Sequence, residues 1–252
     1  MRRVALVTGG SRGLGRAIAG ALAREGLAVA VAARGRSEID EAALALRMQG
    51  AEAMALALDV GDPEAVTLAV NAIAATLGPV DVLVNNAGIA ESAPLGRTEL
   101  DLWDRHFRTN ATGPYLLARA VLPAMLERRW GRVINIASVA GLVGAPYVSA
   151  YTASKHALVG FTRALAAEVE GKGVTVNAIC PGFAATDLVW SSARTIVAKT
   201  GKTYEEAVET LARMNAGGRL VAPDEVAAAV TRLLRDERNG DAILIDGTGD
   251  PA

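Results

Sequence analysis

The sequence predicts a doubly wound α/β fold with a parallel seven-stranded sheet, because short apolar runs alternate with helical patterns along the chain. The runs are apolar almost throughout, which is typical of parallel strands covered by helices on both faces. Hydrophobic residues make up 51% of the 252 residues but aromatic residues only 4%, so we expect a core of Ala, Val, Leu and Ile. The predicted strands cover 4–8, 27–33, 53–59, 80–85, 132–137, 174–180 and 242–246.

Four helices are predicted from apolar residues that recur three or four positions apart. Asp62 and Pro63 mark the start of one helix, since Asp caps a helix and Pro fits its first turn. Another helix begins at Ala222, Pro223 and Asp224. The apolar positions are Leu14, Ile18, Ala21 and Leu22; Val66, Val70, Ile73 and Leu77; Leu158, Phe161, Leu165 and Val169; and Leu233 with Leu234.

The strand–helix pattern runs without a linker or a low-complexity tract, so we expect a single domain over residues 1–252. Its one long interruption covers 183–218 and contains Trp190, Tyr204 and a predicted helix that starts at Glu205 and Glu206. This segment is interpreted either as a helical substrate lid or as an extra pair of packing helices. Its position after a strand favours the lid, because open α/β sheets bind ligands at the carboxyl ends of their strands.

Composition argues against several classes of function. The net charge is -1 with no long basic run, which gives nucleic-acid binding no electrostatic support. The single cysteine, Cys180, forms no intramolecular disulfide, and the only histidines, His106 and His156, lie outside any zinc motif, so we expect no metal site. We expect no signal peptide and no membrane span, and therefore a cytoplasmic protein.

A glycine-rich turn follows the first predicted strand and precedes a helix. Glycines let the backbone approach a pyrophosphate, and the helix N-terminus offers free N–H groups and a positive dipole end. The spacing is G-x-x-x-G-x-G, in a strand–turn–helix context that favours dinucleotide binding and a Rossmann-type fold. The residues of this turn are Thr8, Gly9, Gly10, Ser11, Arg12, Gly13, Leu14 and Gly15.

The end of the second predicted strand indicates which dinucleotide is bound. An acidic residue there would accept hydrogen bonds from the ribose of NAD, but the chain has Ala33 and then Arg34. Arg34 and Arg12 can instead bind the extra phosphate of NADP through charge-assisted hydrogen bonds. The alternative is that Arg34 and Arg36 are solvated loop residues. Asp59 ends the third strand and is interpreted as an acceptor for the adenine amino group, or as a cap of the next turn.

Tyr151 and Lys155 form the outline of a proton donor. Four residues apart, they lie on the same face of a helix, and an ammonium beside a phenol favours the phenolate. Ser138 lies thirteen positions upstream and can hydrogen-bond the oxygen that receives the proton. This arrangement is suited to the reduction of a carbonyl, although a plain contact on an exposed helix face is the alternative.

Taken together, these motifs resemble the short-chain dehydrogenase/reductase family over essentially the full chain. The resemblance implies that Tyr151 donates the proton, that Ser138 holds the carbonyl oxygen, that Lys155 lowers the pKa of Tyr151 and bonds the nicotinamide ribose, and that Asn110 holds a water. The matching motifs are residues 8–15, Asp59-Val60, residues 85–88, Asn110, Ser138, residues 151–155, and Pro181-Gly182 followed by Thr186.

The resemblance also implies the remaining contacts of a single dinucleotide-binding catalytic domain. Asn86, Ala87 and Gly88 would line the cofactor channel, and Thr186 would contact the nicotinamide amide. Val60, Pro181 and Gly182 complete the expected cofactor site. Substrate contacts are expected from Ser138, Val139, Tyr151 and Trp190.

Within the family, the chain looks like NADPH-dependent ketoreductases that act on β-keto thioesters and polyketides. The segment 184–218 is similar both to aromatic-polyketide ketoreductases and to hydroxybutyrate or alicyclic hydroxyacyl-CoA dehydrogenases. The alternative is therefore an NAD-dependent hydroxyacyl dehydrogenase, which Arg34 disfavours. A catalytically silent dinucleotide sensor conflicts with the complete catalytic set, and an epimerase or dehydratase conflicts with the glycine spacing.

The last predicted strand departs from the family pattern. It reads Asn239-Gly240-Asp241-Ala242 at its start, without the usual Thr-Gly, and the tail after Gly247 is short. The family habit is a homotetramer built through the helices before Gly131 and after Tyr151 and through the last strand. We expect a homotetramer that differs in the details of this interface.

Overall fold

The computed structural model describes residues 2–249, in which seven strands form one parallel sheet in the order β3-β2-β1-β4-β5-β6-β7. This confirms the predicted fold class. All seven predicted strands are present, with bounds that differ by at most two residues. The strands are β1 (Val4–Thr8), β2 (Ala28–Ala33), β3 (Ala53–Ala57), β4 (Val80–Asn85), β5 (Gly131–Ile136), β6 (Val174–Pro181) and β7 (Ala242–Ile245).

The connections between strands are helical, as parallel pairing requires. A π-helical turn (Arg108–Thr112) joins two of the helices without a break, and short 3₁₀ turns lie at Leu95–Arg97 and Val139–Gly141. The helices are α1 (Gly13–Arg24), α2 (Arg36–Met48), α3 (Pro63–Thr76), α4 (Leu100–Phe107), α5 (Gly113–Glu127), α6 (Ser149–Val169), α7 (Asp187–Thr200), α8 (Tyr204–Ala212) and α9 (Pro223–Leu233).

Both faces of the sheet are covered, so its five central strands are buried on two sides, whereas the edge strands β3 and β7 stay partly exposed. One core layer packs α1, α2 and α9 on the sheet, with Ile18, Ala43 and Val230 among its buried side chains. The other packs α3, α5 and α6, with Ile73 and Leu117 among its buried side chains. Small aliphatic residues fill both layers, as the low aromatic content predicts.

The predicted apolar patterns are confirmed as α1, α3, α6 and α9, but no such pattern was assigned to α2, α4, α5 or α7. In α4, Leu100, Trp103 and Phe107 recur at helical spacing, yet the helix is only eight residues long and its one buried residue is His106. So short a run of apolar positions does not distinguish a helix by periodicity.

The long segment after β6 folds as a pair of helices, α7 and α8. These helices share a small apolar cluster of their own, in which Val189, Ala193, Ala207 and Leu211 are buried. The predicted helix at Glu205 and Glu206 is confirmed as α8, which begins at Tyr204. A capping box between Thr203 and Glu206 starts it.

The predicted short tail after Gly247 is described only in part, because residues 250–252 lie outside the described residues. Within residues 2–249, no helix is long and apolar enough to cross a membrane.

Loss of the cap on α3 is expected to destabilise the fold. The Asp62 carboxylate accepts hydrogen bonds from the backbone N–H groups of Glu64 (2.9 Å) and Ala65 (3.1 Å), and Pro63 follows it. Asp62→Ala should lower the free energy of unfolding by about 1 kcal/mol, measured as a shift of the urea midpoint. Asp62→Asn keeps an oxygen acceptor and should lose much less; equal midpoints for the two variants would rule out capping as the cause.

Candidate active site

The glycine-rich turn lies at the carboxyl end of β1 and leads into α1. Gly9 and Gly13 have positive φ angles of 63° and 52°, which glycine adopts without strain. A Cβ atom at Gly15 would lie 2.1 Å from the carbonyl oxygen of Gly9, and a Cβ at Gly9 would lie 2.8 Å from Nδ2 of Asn86. The backbone therefore packs too closely here for any side chain, and it leaves the shallow cradle in front of α1 that a pyrophosphate requires.

The end of β1 is tied to the end of β4 by hydrogen bonds. The hydroxyl oxygen of Thr8 accepts from the N–H groups of Asn86 and Ala87, both at 3.0 Å, and donates to the carbonyl of Val84 at 3.4 Å. The Asn86 amide donates to the carbonyls of Thr8 (2.9 Å) and Gly9 (3.2 Å). The predicted cofactor residues Thr8, Gly9, Asn86 and Ala87 thus form one connected unit.

Ser138, Tyr151 and Lys155 come together at the carboxyl end of β5. Ser138 follows this strand, and its side chain lies close enough to the Tyr151 phenol to influence the ionisation of that group. The Lys155 ammonium donates to the carbonyl oxygen of Ile136 at 2.8 Å, and its Nζ lies 5.8 Å from the centre of the Tyr151 ring. The 3₁₀ turn after Ser138 packs on α6, because a Cβ at Gly141 would lie 2.9 Å from the carbonyl oxygen of Lys155.

Asn110 joins this group from the π-helical turn Arg108–Thr112. It is fully buried, and its amide donates to the carbonyl of Ile89 (2.9 Å) and to the hydroxyl of Ser154 (3.0 Å). Its side-chain oxygen accepts from the N–H of Ile89 at 2.9 Å. Ser154 in turn donates to the carbonyl of Tyr151 at 2.7 Å, which links Asn110 to the helix that carries the phenol.

Burial dominates the ionisation of this group. It raises the pKa of the Tyr151 phenol above its ordinary value, and the hydrogen bond with Ser138 opposes that shift. It lowers the pKa of Lys155 to about 8, with the Cys180 thiol acting in the opposite direction. In this structure the Lys155 ammonium bonds the carbonyl of Ile136 and not the phenol, so the effect of Lys155 on the pKa of Tyr151 stays a prediction.

The two arginines expected to bind the NADP phosphate have different surroundings. Arg34 is exposed just after β2 and makes no ion pair within residues 2–249, whereas Arg36 pairs with Asp40 at 3.2 Å. Arg12 pairs with Asp187, the first residue of α7, at 3.6 Å, with both side chains largely exposed. Arg34 is thus available for a phosphate, and Arg12 must exchange partners to reach one.

Asp59 and Val60 lie next to the π-helical turn. Asp59 accepts from the N–H of Gly61 at 2.9 Å, which is the predicted capping role, and its other oxygen lies 3.4 Å from the Arg108 guanidinium. Val60 is buried against Gly113, where a Cβ would lie only 2.7 Å from it. The contact of Asp59 with an adenine stays a prediction.

The remaining predicted cofactor residues border the same cleft. The methyl carbon of Thr186 lies 3.3 Å from the Cβ position of Gly13, so the start of α7 touches the glycine-rich turn. The Cβ position of Gly88 lies 3.2 Å from the Asn110 side-chain oxygen and 3.6 Å from the Lys155 ammonium. The structure thus brings the cofactor and catalytic predictions together at one edge of the sheet.

Asn215 fixes the base of the α7–α8 pair, and the sequence analysis missed it. It is 5% exposed; its oxygen accepts from the N–H of Phe183 (2.8 Å), and its amide donates to the carbonyls of Phe183 (2.9 Å) and Arg219 (2.6 Å). Pro181 ends β6, and the next residue must be Gly182, where a Cβ would lie 2.2 Å from the Asn215 oxygen. The sequence signal for this role is a single Asn that precedes a pair of glycines, at residues 215–218.

The predicted substrate residues lie at the mouth of the site. Val139 is half-buried in the turn after Ser138. Trp190 packs against the apolar cluster inside the α7–α8 pair, so only part of its ring remains for a substrate. Tyr147 is exposed with a φ of 66°, an uncommon conformation for a non-glycine residue, and its carbonyl accepts from the N–H of Ala93 at 2.8 Å.

The described residues offer no candidate metal site. Within residues 2–249, no three His, Cys, Asp or Glu side chains are grouped so that they could hold a metal ion.

Comparisons with known proteins agree with this geometry. A family model, short chain dehydrogenase, matches residues 3–197. The chain is 38% identical over 248 residues to 3-oxoacyl-(acyl-carrier-protein) reductase FabG of Vibrio cholerae, covering 97% of this chain and 96% of that protein. It is 40% identical over 237 residues to acetoacetyl-CoA reductase of Shinella zoogloeoides, covering 94% and 92%. The crystal structure of a variant of actinorhodin polyketide ketoreductase with NADPH superimposes with a TM-score of 0.93 at 38% identity, covering 99% and 98% of the two chains.

Two glycines of α1 are expected to respond oppositely to alanine. At Gly15 the new Cβ would meet backbone at 2.1 Å, so Gly15→Ala should destabilise the fold by about 1–3 kcal/mol. At Gly20 the nearest atom is the flexible end of Arg24 at 3.5 Å, so Gly20→Ala should stabilise the helix by about 0.5–1 kcal/mol. Urea unfolding of both variants checks the signs, and a neutral Gly15→Ala would show that the turn packs more loosely.

Proposed function

The chain belongs to the short-chain dehydrogenase family of oxidoreductases that act on CH–OH groups, and we propose that it is an NADPH-dependent ketoreductase for β-keto acyl thioesters or polyketide-like ketones. The observation that carries this proposal is the convergence of Ser138, Tyr151, Lys155 and Asn110 beside the glycine-rich turn. The reaction is a reversible conversion of a ketone to a secondary alcohol.

The names of the relatives support this substrate class. Two of them are reductases of 3-oxoacyl and acetoacetyl thioesters, and a third is a polyketide ketoreductase. All three match nearly the whole chain, including α7 and α8. A carbonyl compound with an acyl thioester or polyketide chain is therefore the first substrate to test.

The cleft fits a nicotinamide dinucleotide. The turn 8–15 has no room for side chains at Gly9 and Gly15, as a backbone cradle for a pyrophosphate requires. The residues that would hold the rest of the molecule are Asp59 and Val60 on the adenine side and Asn86–Gly88, Lys155 and Thr186 on the nicotinamide side. When bound, the nicotinamide supplies the hydride for ketone reduction, and the protein supplies position and a proton.

Tyr151 is proposed as the general acid. Burial favours its neutral phenol, so the proton is present at neutral pH and available to a carbonyl oxygen that gains negative charge. The Ser138 hydroxyl, which lies beside the phenol, is proposed to donate to the same oxygen. Two donors aimed at one developing oxyanion stabilise the transition state more than the ground state.

Lys155 and Asn110 are proposed to return a proton to Tyr151. Lys155 bonds the carbonyl of Ile136 at one side of the phenol. The Cβ position of Gly88 lies 3.2 Å from the Asn110 side-chain oxygen and 3.6 Å from the Lys155 ammonium, so the two groups approach the same point. Polar groups at this spacing can hold a water between them, which connects the buried phenol to solvent.

Selection of NADPH is proposed to rest on Arg34, assisted by Arg12. The exposed pair of Arg12 with Asp187 is worth little, since solvent-exposed ion pairs contribute about 0–1 kcal/mol. A phosphate with several charge-assisted hydrogen bonds can replace Asp187 at low cost.

Two family properties enter as proposals. The helix pair α7–α8 is proposed as the substrate lid, because it begins next to Thr186 beside the glycine-rich turn and its base is fixed by Asn215.

A homotetramer is proposed through α5, α6 and β7. Exposed apolar side chains on two of these elements, Tyr115 (44%) and Leu244 (41%), support it.

Removal of the phenol oxygen should abolish most turnover. Tyr151→Phe is expected to lower kcat for acetoacetyl-CoA reduction by at least about 100-fold, the scale of general acid catalysis, while NADPH binding stays near wild type. The rate is followed by NADPH absorbance and the binding by NADPH fluorescence. Tyr204→Phe, on the exposed face of α8, is the matched control. Turnover of the Tyr151 variant within a few fold of wild type would remove this residue as the proton donor.

Reversal of the charge at Arg34 should change the cofactor preference. Arg34→Asp is expected to shift the ratio of kcat/KM for NADPH over NADH by about 10–100-fold toward NADH, because a carboxylate repels the phosphate and accepts from the ribose. The control is Arg36→Ala, since Arg36 already pairs with Asp40. An unchanged ratio for the Arg34 variant would identify it as a solvated loop residue.

A further inference from the structure

His106 is completely buried on α4 and has no part in the proposed proton relay. Its Nδ1 lies 2.7 Å from the carbonyl oxygen of Leu102, and its Nε2 lies 3.1 Å from the backbone nitrogen of Glu91. A carbonyl can only accept and an amide N–H can only donate. The contacts therefore assign the proton to Nδ1 and direct the lone pair of Nε2 at the Glu91 N–H.

The segment that His106 holds lies directly after the predicted cofactor residue Gly88. Asn110, one helical turn beyond His106, bonds both backbone groups of Ile89 at 2.9 Å. Arg105, the neighbour of His106, bonds the Glu91 carboxylate at 2.6 Å. Three side chains from α4 and the π-helical turn thus fasten residues 89–91.

The same imidazole contacts the proposed proton donor. The rings of His106 and Tyr151 meet edge to face, with centroids 6.3 Å apart and an angle of 72° between their planes. Edge-to-face contacts of this kind restrain ring orientation. His106 therefore lies between the phenol and the segment 89–91, and it restrains both.

We propose that His106 and Arg105 are positioning residues that hold Glu91, and with it the segment 89–91, against α4 beside Tyr151. The effect on turnover rests on the proposed ketoreductase function, whereas the attachment itself does not. Loss of the imidazole acceptor would leave the Glu91 N–H without its partner, and an unsatisfied amide drives the segment toward solvent. The segment 89–91 beside Tyr151 would then loosen, while the glycine-rich turn at 8–15 stays intact.

The first experiment compares two variants at the same position. His106→Phe keeps a ring beside Tyr151 but removes the acceptor, and it should raise KM for acetoacetyl-CoA by about fivefold, the scale of one hydrogen bond. His106→Gln places an amide oxygen within reach of the Glu91 N–H and should return KM to within about twofold of wild type. NADPH affinity should stay unchanged in both variants. His156→Phe is the control, since His156 makes the same contact with a carbonyl four residues back but lies exposed.

Hydrogen exchange tests the attachment without any substrate. Peptides that cover residues 88–98 should exchange faster in His106→Phe than in wild type and His106→Gln, and exchange in α1 should not change. Arg105→Gln, at a half-exposed side chain where folding is not at risk, should also accelerate exchange in these peptides.

Equal exchange in wild type and Arg105→Gln, or equal KM and exchange in the Phe and Gln variants, would overturn the proposal. Absence of ketone turnover in the wild type, with the exchange pattern as expected, would refute the proposed function and leave the positioning role standing.

Discussion

The hydrogen bonds between the ends of β1 and β4 hold the glycine-rich turn in place, and the other parts of the site are built on that joint. The Asn86 amide donates to the carbonyls of Thr8 and Gly9, and it occupies the space that a Cβ at Gly9 or Gly15 would need. The glycine-rich turn and Asn86 lie more than seventy residues apart in the sequence, yet each limits which side chains the other can accommodate. Parallel pairing makes this possible, because it brings the carboxyl ends of neighbouring strands to one edge.

A second set of contacts fixes α6 on β5, and thereby sets the distance between Tyr151 and Ser138. Near the site, the Lys155 ammonium bonds the carbonyl of Ile136. Two turns further along α6, Thr162 accepts from Asn135 at 2.8 Å, and Asn135 accepts from Asn85 at 2.8 Å. A buried polar network of this kind favours one register of helix on sheet, since any shift would leave its members without partners.

The low polarity around Tyr151 and Lys155 sets the protonation state of the proposed acid. Burial moves the pKa of each group toward its neutral form, upward for the phenol and downward to about 8 for the amine. A neutral phenol is the form that donates a proton to a ketone. The ammonium that the sequence places one turn away donates its hydrogen bond to backbone and not to the phenol.

The sequence by itself determined the sheet, the glycine-rich turn and the catalytic motif, since each depends on local patterns. Apolar runs identify strands buried on both faces, and the glycine spacing after β1 identifies a turn with no room for side chains. It did not reveal α4, whose one buried residue is His106, or the role of Asn215 at the base of α7 and α8. The role of Asn215 depends on contacts with other segments, which leave no periodic signal, and α4 is too short for its apolar spacing to distinguish a helix. The direction of the Tyr151 pKa shift was likewise decided by tertiary structure, because desolvation depends on what packs around the phenol and not on its neighbours in the chain.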